Sequence, residues 1–267
     1  MPLITVLTRD PAVLDAVSPA PGPGGDIART RSWERLLWLV RERPVTGVVL
    51  DSEALVRGLE ADVALTDLRR RFPSLATVFL HRPQLDPMTL FRLGRAGLKG
   101  LALVQLDGLV AGLRQAMARV SRHGTEAQVL TTIGPLLPSG ARSAVRLALR
   151  GVQLGWCTEQ LAERAGFSRP HLSVRLKAHG LPSAGHLLIW AKLLHAGRWL
   201  ADPGRSAESI SRQLEYSSGA AFRRALHNYV GGTPTEVKRG GGLALVLRCF
   251  LDDCGLSASL RDDRSVA

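Results

Sequence analysis

The chain has 267 residues, 45% of them hydrophobic and 22% charged, which is enough for two domains of ordinary size, each with its own core, and excludes wholesale disorder. Its formal net charge of +12 points to a polyanionic partner, and the excess is uneven: residues 1–123 carry +5, residues 124–241 carry +8 and residues 242–267 carry −1. No uncharged apolar run approaches the ~20 residues that a membrane span requires, the start MPLITVLTRD lacks the order of an export signal, and the cytoplasm is the expected location.

Residues 1–121 alternate short apolar runs with helical patterns. LITVLT (3–8), GVVLD (47–51), TVFLH (77–81) and GLALV (100–104) are too short and too evenly apolar for amphipathic helices and suit strands covered on both faces. DIART (26–30) is a further strand candidate after the loop PAPGPGG (19–25). Helices are predicted within 32–44, 54–73, 86–97 and 107–120, where apolar residues recur at helical spacing. Strand and helix in alternation imply a doubly wound parallel sheet, so the first domain is α/β.

RHGTEAQVLTTIGPLLPSGAR breaks this rhythm with glycine and proline, and a linker is predicted over residues 122–140. Residues 141–241 read as an all-α domain of six helices with room for a seventh, without the β-branched runs of strands. In the tail, 242–267, LALVLRCFLDDC (243–254) fits a closing helix or an added strand, and RDDRSVA (261–267) reads as disordered. Cys157, Cys249 and Cys254 lack the spacing of a zinc site and read as free thiols; no metal and no cofactor are expected.

The all-α domain repeats itself. TEQLAERAG (158–166) ends on Gly166, suited to a positive φ; Ser168 can then cap a second helix that has Pro170 in its first turn. Leu172 and Leu176 lie one above the other and face the core, which sends Pro170, Val174 and Lys177 to the opposite side and Arg169 and Ser173 to a flank. Fifty residues on, Ser218 answers Ser168, Phe222 answers Leu172 and Leu226 answers Leu176, and two residues later in register Gly232-Thr-Pro234 answers Gly180-Leu-Pro182. The outward side is now Ala220, Arg224 and His227, with Arg223 at the flank, and the small residues at 219–221, Gly219 first, let the backbone approach a partner closely. This is a duplicated helix-turn-helix.

TEQLAERAGFSRPHLSVRLK, SAESISRQLEYSSGAAFRRALHNYVGGTP and, between them, KLLHAGRWL with Lys192, Ala196 and Leu200 resemble the DNA-binding domain of the AraC/XylS family of bacterial transcription regulators. The resemblance covers residues 141 to 239 and implies two helix-turn-helix units joined by a long helix, with duplex DNA as partner and RNA polymerase as a further one. Carried over position by position, it makes Arg169, Pro170, Ser173, Val174, Lys177, Ser218, Gly219, Ala220, Arg223, Arg224 and His227 the DNA-binding residues. Arg223 and Arg224 can pair with guanine O6 and N7, whereas Lys177 and His227 suit phosphate. Glu215 departs from the pattern, standing where the second turn normally has glycine, and glutamate tolerates positive φ poorly.

The first domain resembles a response-regulator receiver. Asp51, ending GVVLD, fits the phospho-acceptor, but Thr8 and Arg9 stand where an acidic pair would hold Mg²⁺, His81 replaces the hydroxyl, and Val104 or Gln105 the lysine. The expectation is a degenerate pseudo-receiver with a vestigial acceptor at Asp51 and an Arg9–Asp51 ion pair, serving dimerisation or signal input without phosphorylation. The segment 86–113 would supply a homodimer face. The chain has no phosphate loop, His-Glu-x-x-His or Gly-x-Ser-x-Gly, so it is not read as an enzyme. The alternative is a protein-binding adaptor with a receiver-like module and a helical domain that has lost specific DNA readout.

Overall fold

The computed structural model describes residues 3–16, 27–51, 54, 61–81, 87–95, 100–103 and 124–256. They form two compact units. The first runs to Gly124 and includes Asp202–Arg205, and the second comprises the rest.

The first unit is a five-stranded parallel sheet of β1 (Leu3–Leu7), β2 (Ile27–Thr30), β3 (Val45–Asp51), β4 (Ala76–His81) and β5 (Gly100–Leu103), in the order β2-β1-β3-β4-β5. All neighbouring strands run parallel, with Val6 opposite Val49, Val49 opposite Val78 and Leu80 opposite Ala102. Successive side chains of a strand point to opposite faces. Leu7, Val48, Leu50 and Phe79 accordingly enter one core with Leu36, Val40, Leu65 and Leu68, whereas Val6, Val49, Val78 and Leu80 enter another with Val13. Those partners place α2 (Trp33–Glu42) and α3 (Ala61–Arg71) on one face and α1 (Pro11–Ala16) on the other. The apolar runs lack polar alternation because both faces are covered. Helix α4 (Pro87–Arg95) completes the described elements of this unit. The predicted loop 19–25, the helix over 107–120, Val104 and Gln105 lie outside the described residues.

Sequence patterning assigned residues 202–205 to the helical domain, but they belong to the first unit. There Arg205 Nε donates to Asp202 Oδ2 at 3.0 Å, with neither side chain exposed. The Ser74 amide and hydroxyl donate to the same carboxylate at 2.8 and 2.6 Å, and Arg205 donates to the carbonyls of Arg43 and Val45. Buried charges persist only when paired in this way.

The second unit is helical: α5 (Thr125–Ile133), α6 (Ser139–Gln153), α7 (Thr158–Arg164), α8 (Arg169–Lys177), α9 (Ala184–Leu200), α10 (Ala207–Gln213), α11 (Gly219–Val230), α12 (Pro234–Arg239) and α13 (Leu243–Asp253). The linker expected over 122–140 is corrected: much of it folds as α5 and a 3₁₀ turn over Gly134–Leu136, and Val129 and Ile133 are fully buried in the core of this unit. Gly134 and Pro135 end the helix without ending the domain. The tail resolves as helix, since α13 buries Val246, Leu247, Phe250 and Leu251; residues 257–267 lie outside the described ones. No described helix is long and apolar enough to cross a membrane.

Helix α9 is apolar on nearly every side and is the centre of the unit, as such a helix must be. A side chain at Gly197 would come within 2.8 Å of Val246 Cγ2 and 3.1 Å of Leu243 Cα, so its hydrogen lets α13 pack against α9 nearly backbone to backbone. Trp190 Nε1 donates to Asp253 Oδ2 at 2.8 Å. Fully buried His195 donates from Nε2 to the Leu149 carbonyl at 2.9 Å, and Arg198 donates to Gln128 Oε1. Of the three residues in the family's joining-helix pattern, Ala196 and Leu200 are core, and Lys192 lies half-buried with its ammonium 5.3 Å from the Tyr216 ring.

Candidate nucleic-acid interface

Each helix-turn-helix unit is built from a short helix, a tight turn and a second helix with one apolar ridge. In the first, α7 buries Leu161 and Ala162, Gly166 turns the chain with φ of +78°, and α8 buries Leu172 and Leu176. In the second, α10 buries Ile210, Glu215 makes the turn, and α11 buries Phe222 and Leu226 completely. The four ridge positions expected from spacing are all core.

Glu215 is the one non-glycine residue with positive φ among the described residues, at +55°. That confirms the conflict that its position predicted. The turn is retained because Leu214 beside it is buried and the amides of Glu215 and Tyr216 donate to Arg212 and Ser211 carbonyls, each at 3.0 Å. The Glu215 carboxylate lies beside Gly155 of the α6–α7 turn, where a Cβ would meet it at 3.0 Å, and it attracts the Lys192 ammonium. Burial pushes the Lys192 ammonium down, and Glu215 opposes that shift.

The second helix of each unit leaves its other side uncovered. On α8, Arg169, Pro170, Val174 and Lys177 are exposed, with Val174 at 65% a large apolar side chain facing water. Ser173 differs: it is half-buried and its hydroxyl oxygen accepts from the Ala184 amide at 3.2 Å, tying α8 to the start of α9. Ser168 occupies the cap position with extended backbone but makes no side-chain cap bond. Pro170 removes one of the two amides that such a cap normally reaches. On α11, Ala220, Arg223, Arg224 and His227 are exposed and Gly219 is partly so. Ser218 caps the helix, accepting from the Ala221 amide at 3.1 Å. The helix ends at Gly231, with φ of +77°, one residue before the glycine that the repeat singled out.

The arginines are not equivalent. Arg169 Nη1 donates to Glu159 Oε1 at 2.9 Å, and Arg223 Nη1 donates to Glu208 Oε1 at the same distance. Arg224 makes no ion pair with a described residue. Sequence reasoning found the arginines and overlooked both glutamates. Each glutamate is the second residue of the short first helix, a position the repeat itself could have flagged.

In the first unit, Asp51 is fully buried at the end of β3, and Thr8 Oγ1 donates to its Oδ2. Arg9 is exposed, and the Thr8 hydroxyl is a described partner of this carboxylate, whereas the Arg9–Asp51 ion pair that the sequence implied is not formed among the described residues. Asp10, the one acid adjacent, accepts from the Ala12 amide at 2.7 Å at the start of α1. Thr8 stands where the receiver resemblance would place an acid, and Asp10 spends one carboxylate oxygen on that backbone amide.

Residues 161–240 match a family model described as a helix-turn-helix domain. The chain is 32% identical over 112 residues to the HTH-type transcriptional regulator VirS from two strains of Mycobacterium tuberculosis, a match covering 40% of this chain and 33% of that protein. The chain thus spans about a third of the curated relatives it matches. Among solved structures, it is similar to the response regulator RcsB of Salmonella typhimurium at 16% identity and a TM-score of 0.40, over 70% of this chain and 98% of that one. It is also similar to the xylose-binding transcription activator xylR at 15% identity and a TM-score of 0.36, over 90% of this chain and 70% of that one. The C-terminal part of the chain carries a helix-turn-helix domain.

Proposed function

We propose that the protein is a sequence-specific DNA-binding regulator of transcription whose α8 and α11 enter successive segments of the major groove. The observation that carries this reading is the division of α11, with Phe222 and Leu226 wholly buried and Arg223 and Arg224 both exposed. The same division recurs in α8, and the surrounding segment holds most of the net positive charge. A helix anchored on one face and offering arginines on the other fits a groove whose guanines present two acceptors to a guanidinium. Val174 suits a thymine methyl, and Lys177 and His227 suit phosphates. The domain match and the VirS relative support the same reading.

Selection of binding sites from random duplexes tests it. A specific regulator yields a consensus in two segments about one helical turn apart, with an affinity gap over random DNA of ~10³-fold or more. Replacing Arg223 and Arg224 together with alanine removes preference in one segment only. A uniformly salt-sensitive affinity with no consensus would instead identify a basic adaptor.

The first unit contributes dimerisation or input that needs no phosphorylation. The Thr8–Asp51 bond supports the latter, because the acceptor carboxylate is already engaged inside the fold. Met88 and Phe91, exposed on α4, support the former. Acetyl phosphate with Mg²⁺ leaves the intact mass unchanged, and light scattering gives twice the monomer mass at high concentration. An added phosphate or a persistent monomer overturns the corresponding half of this assignment.

A further inference from the structure

The two helix-turn-helix units set the same charged pair against their outward face, from different positions in the sequence. Glu159 and Glu208 are both second in their short helices. Arg169, which meets Glu159, is the first residue of α8, whereas Arg223, which meets Glu208, is the fifth of α11. The residue of α11 in the place of Arg169 is Gly219. A Cβ there would stand 3.6 Å from Arg223 Nη1 and 3.7 Å from Glu208 Oε1, so the space that a side chain would fill is lined by the incoming guanidinium and its carboxylate. One unit supplies the guanidinium from the first position; the other leaves that position empty and brings it from one turn further along. Both pairs join Nη1 to Oε1 at 2.9 Å.

Neither pair is a stabilising core element, since all four side chains are at least half exposed and exposed ion pairs add little to stability. Their effect falls on the arginine. A free arginine samples many rotamers and binds any phosphate it meets. Held at Nη1, it keeps its Nε–Nη2 edge for a second acceptor pair, which is what guanine O6 and N7 offer. A carboxylate alongside repels the phosphate backbone. Both carboxyls are held below the usual range, first by their own backbone amides, then with Cys157 and Arg169 adding for Glu159 and Arg223 for Glu208, so both are ionised at neutral pH.

We infer that Glu159 and Glu208 are specificity-determining residues, which hold Arg169 and Arg223 for bidentate guanine contact and discount their contact with phosphate. This inference rests on the DNA-binding reading above. The simpler account is that each glutamate only complements the positive end of its helix.

The test is E159Q/E208Q in the full chain, against a selected duplex and a random duplex of equal length, by fluorescence anisotropy across a salt series. Glutamine keeps the size and removes the charge. Affinity for the random duplex should rise several-fold, and the slope of log K against log salt should steepen by up to about one per glutamate. Affinity for the selected duplex should stay level or fall, so the specificity ratio drops about tenfold. Coincident thermal melts of variant and wild type confirm that folding is untouched. An equal gain on both duplexes, or no change on either, overturns the inference while leaving the DNA-binding reading intact. A wild type that shows no preference between the duplexes removes both.

Discussion

Replacing Glu215 with glycine separates backbone strain from side-chain attraction at the second turn. At φ of +55°, glutamate occupies the left-handed region, where a residue with a Cβ is disfavoured by about 1–2 kcal/mol. Glycine removes that strain but adds unfolded-state entropy worth roughly 0.5–1 kcal/mol. The variant also loses the attraction between the Glu215 carboxylate and Lys192. Glu215 is exposed, so solvent screens that attraction to a few tenths of a kcal/mol. The balance favours the variant by roughly 0.5 kcal/mol, a rise of about 1–3 °C in the melting of the helical unit. Urea denaturation followed by tryptophan fluorescence reads this directly, because Trp190 and Trp199 are buried in that unit. A loss of about 1 kcal/mol or more would refute the reasoning, since it would mean that the carboxylate stabilises the turn by more than its backbone strains it.

Gly197→Ala forces a methyl into the α9–α13 contact, where the neighbours at 2.8 to 3.2 Å include backbone atoms; destabilisation of about 1–3 kcal/mol is expected in the same assay. Phe222→Ala empties a fully buried site packed on Tyr216 and should remove about 3–5 kcal/mol, abolishing the proposed DNA binding through unfolding of the helical unit, visible as lost helical circular dichroism. His195 gives the helical unit an acid sensitivity. Burial depresses its imidazole to about 4, helped slightly by Arg198 and opposed by its bond to Leu149. At pH above the unfolded value of ~6.5 the ring is neutral in both states and the stability is complete. As pH falls toward about 4, the unfolded chain takes up a proton that the folded chain refuses, and roughly 3 kcal/mol is lost. Denaturation midpoints across this range should flatten in His195→Gln; an unchanged slope would assign the acid loss to other groups.

The alternation of apolar runs and amphipathic stretches was enough for the α/β and all-α halves, because a doubly covered strand and a one-sided helix carry different periods in the chain itself. The buried ridges of Leu172, Leu176, Phe222 and Leu226 followed from four-residue spacing, and their outward neighbours followed with them. Glu215 announced its own strain, since a turn of that length needs a positive φ whatever occupies it.

Other features depend on groups distant in the chain and could not be read locally. Residues 122–140 read as a linker because Gly134 and Pro135 punctuate them, yet Val129 and Ile133 are drawn into a core assembled from α6, α9 and α13. The apolar segment 243–254 is ambiguous at its length, and Gly197 on α9 decides it by admitting a helix at close range. The same holds at the interface: Glu159 lies ten residues from Arg169 and Glu208 lies fifteen from Arg223. Spacing along a strand or helix sets which side a residue faces, but the partner it meets there is chosen by packing between elements.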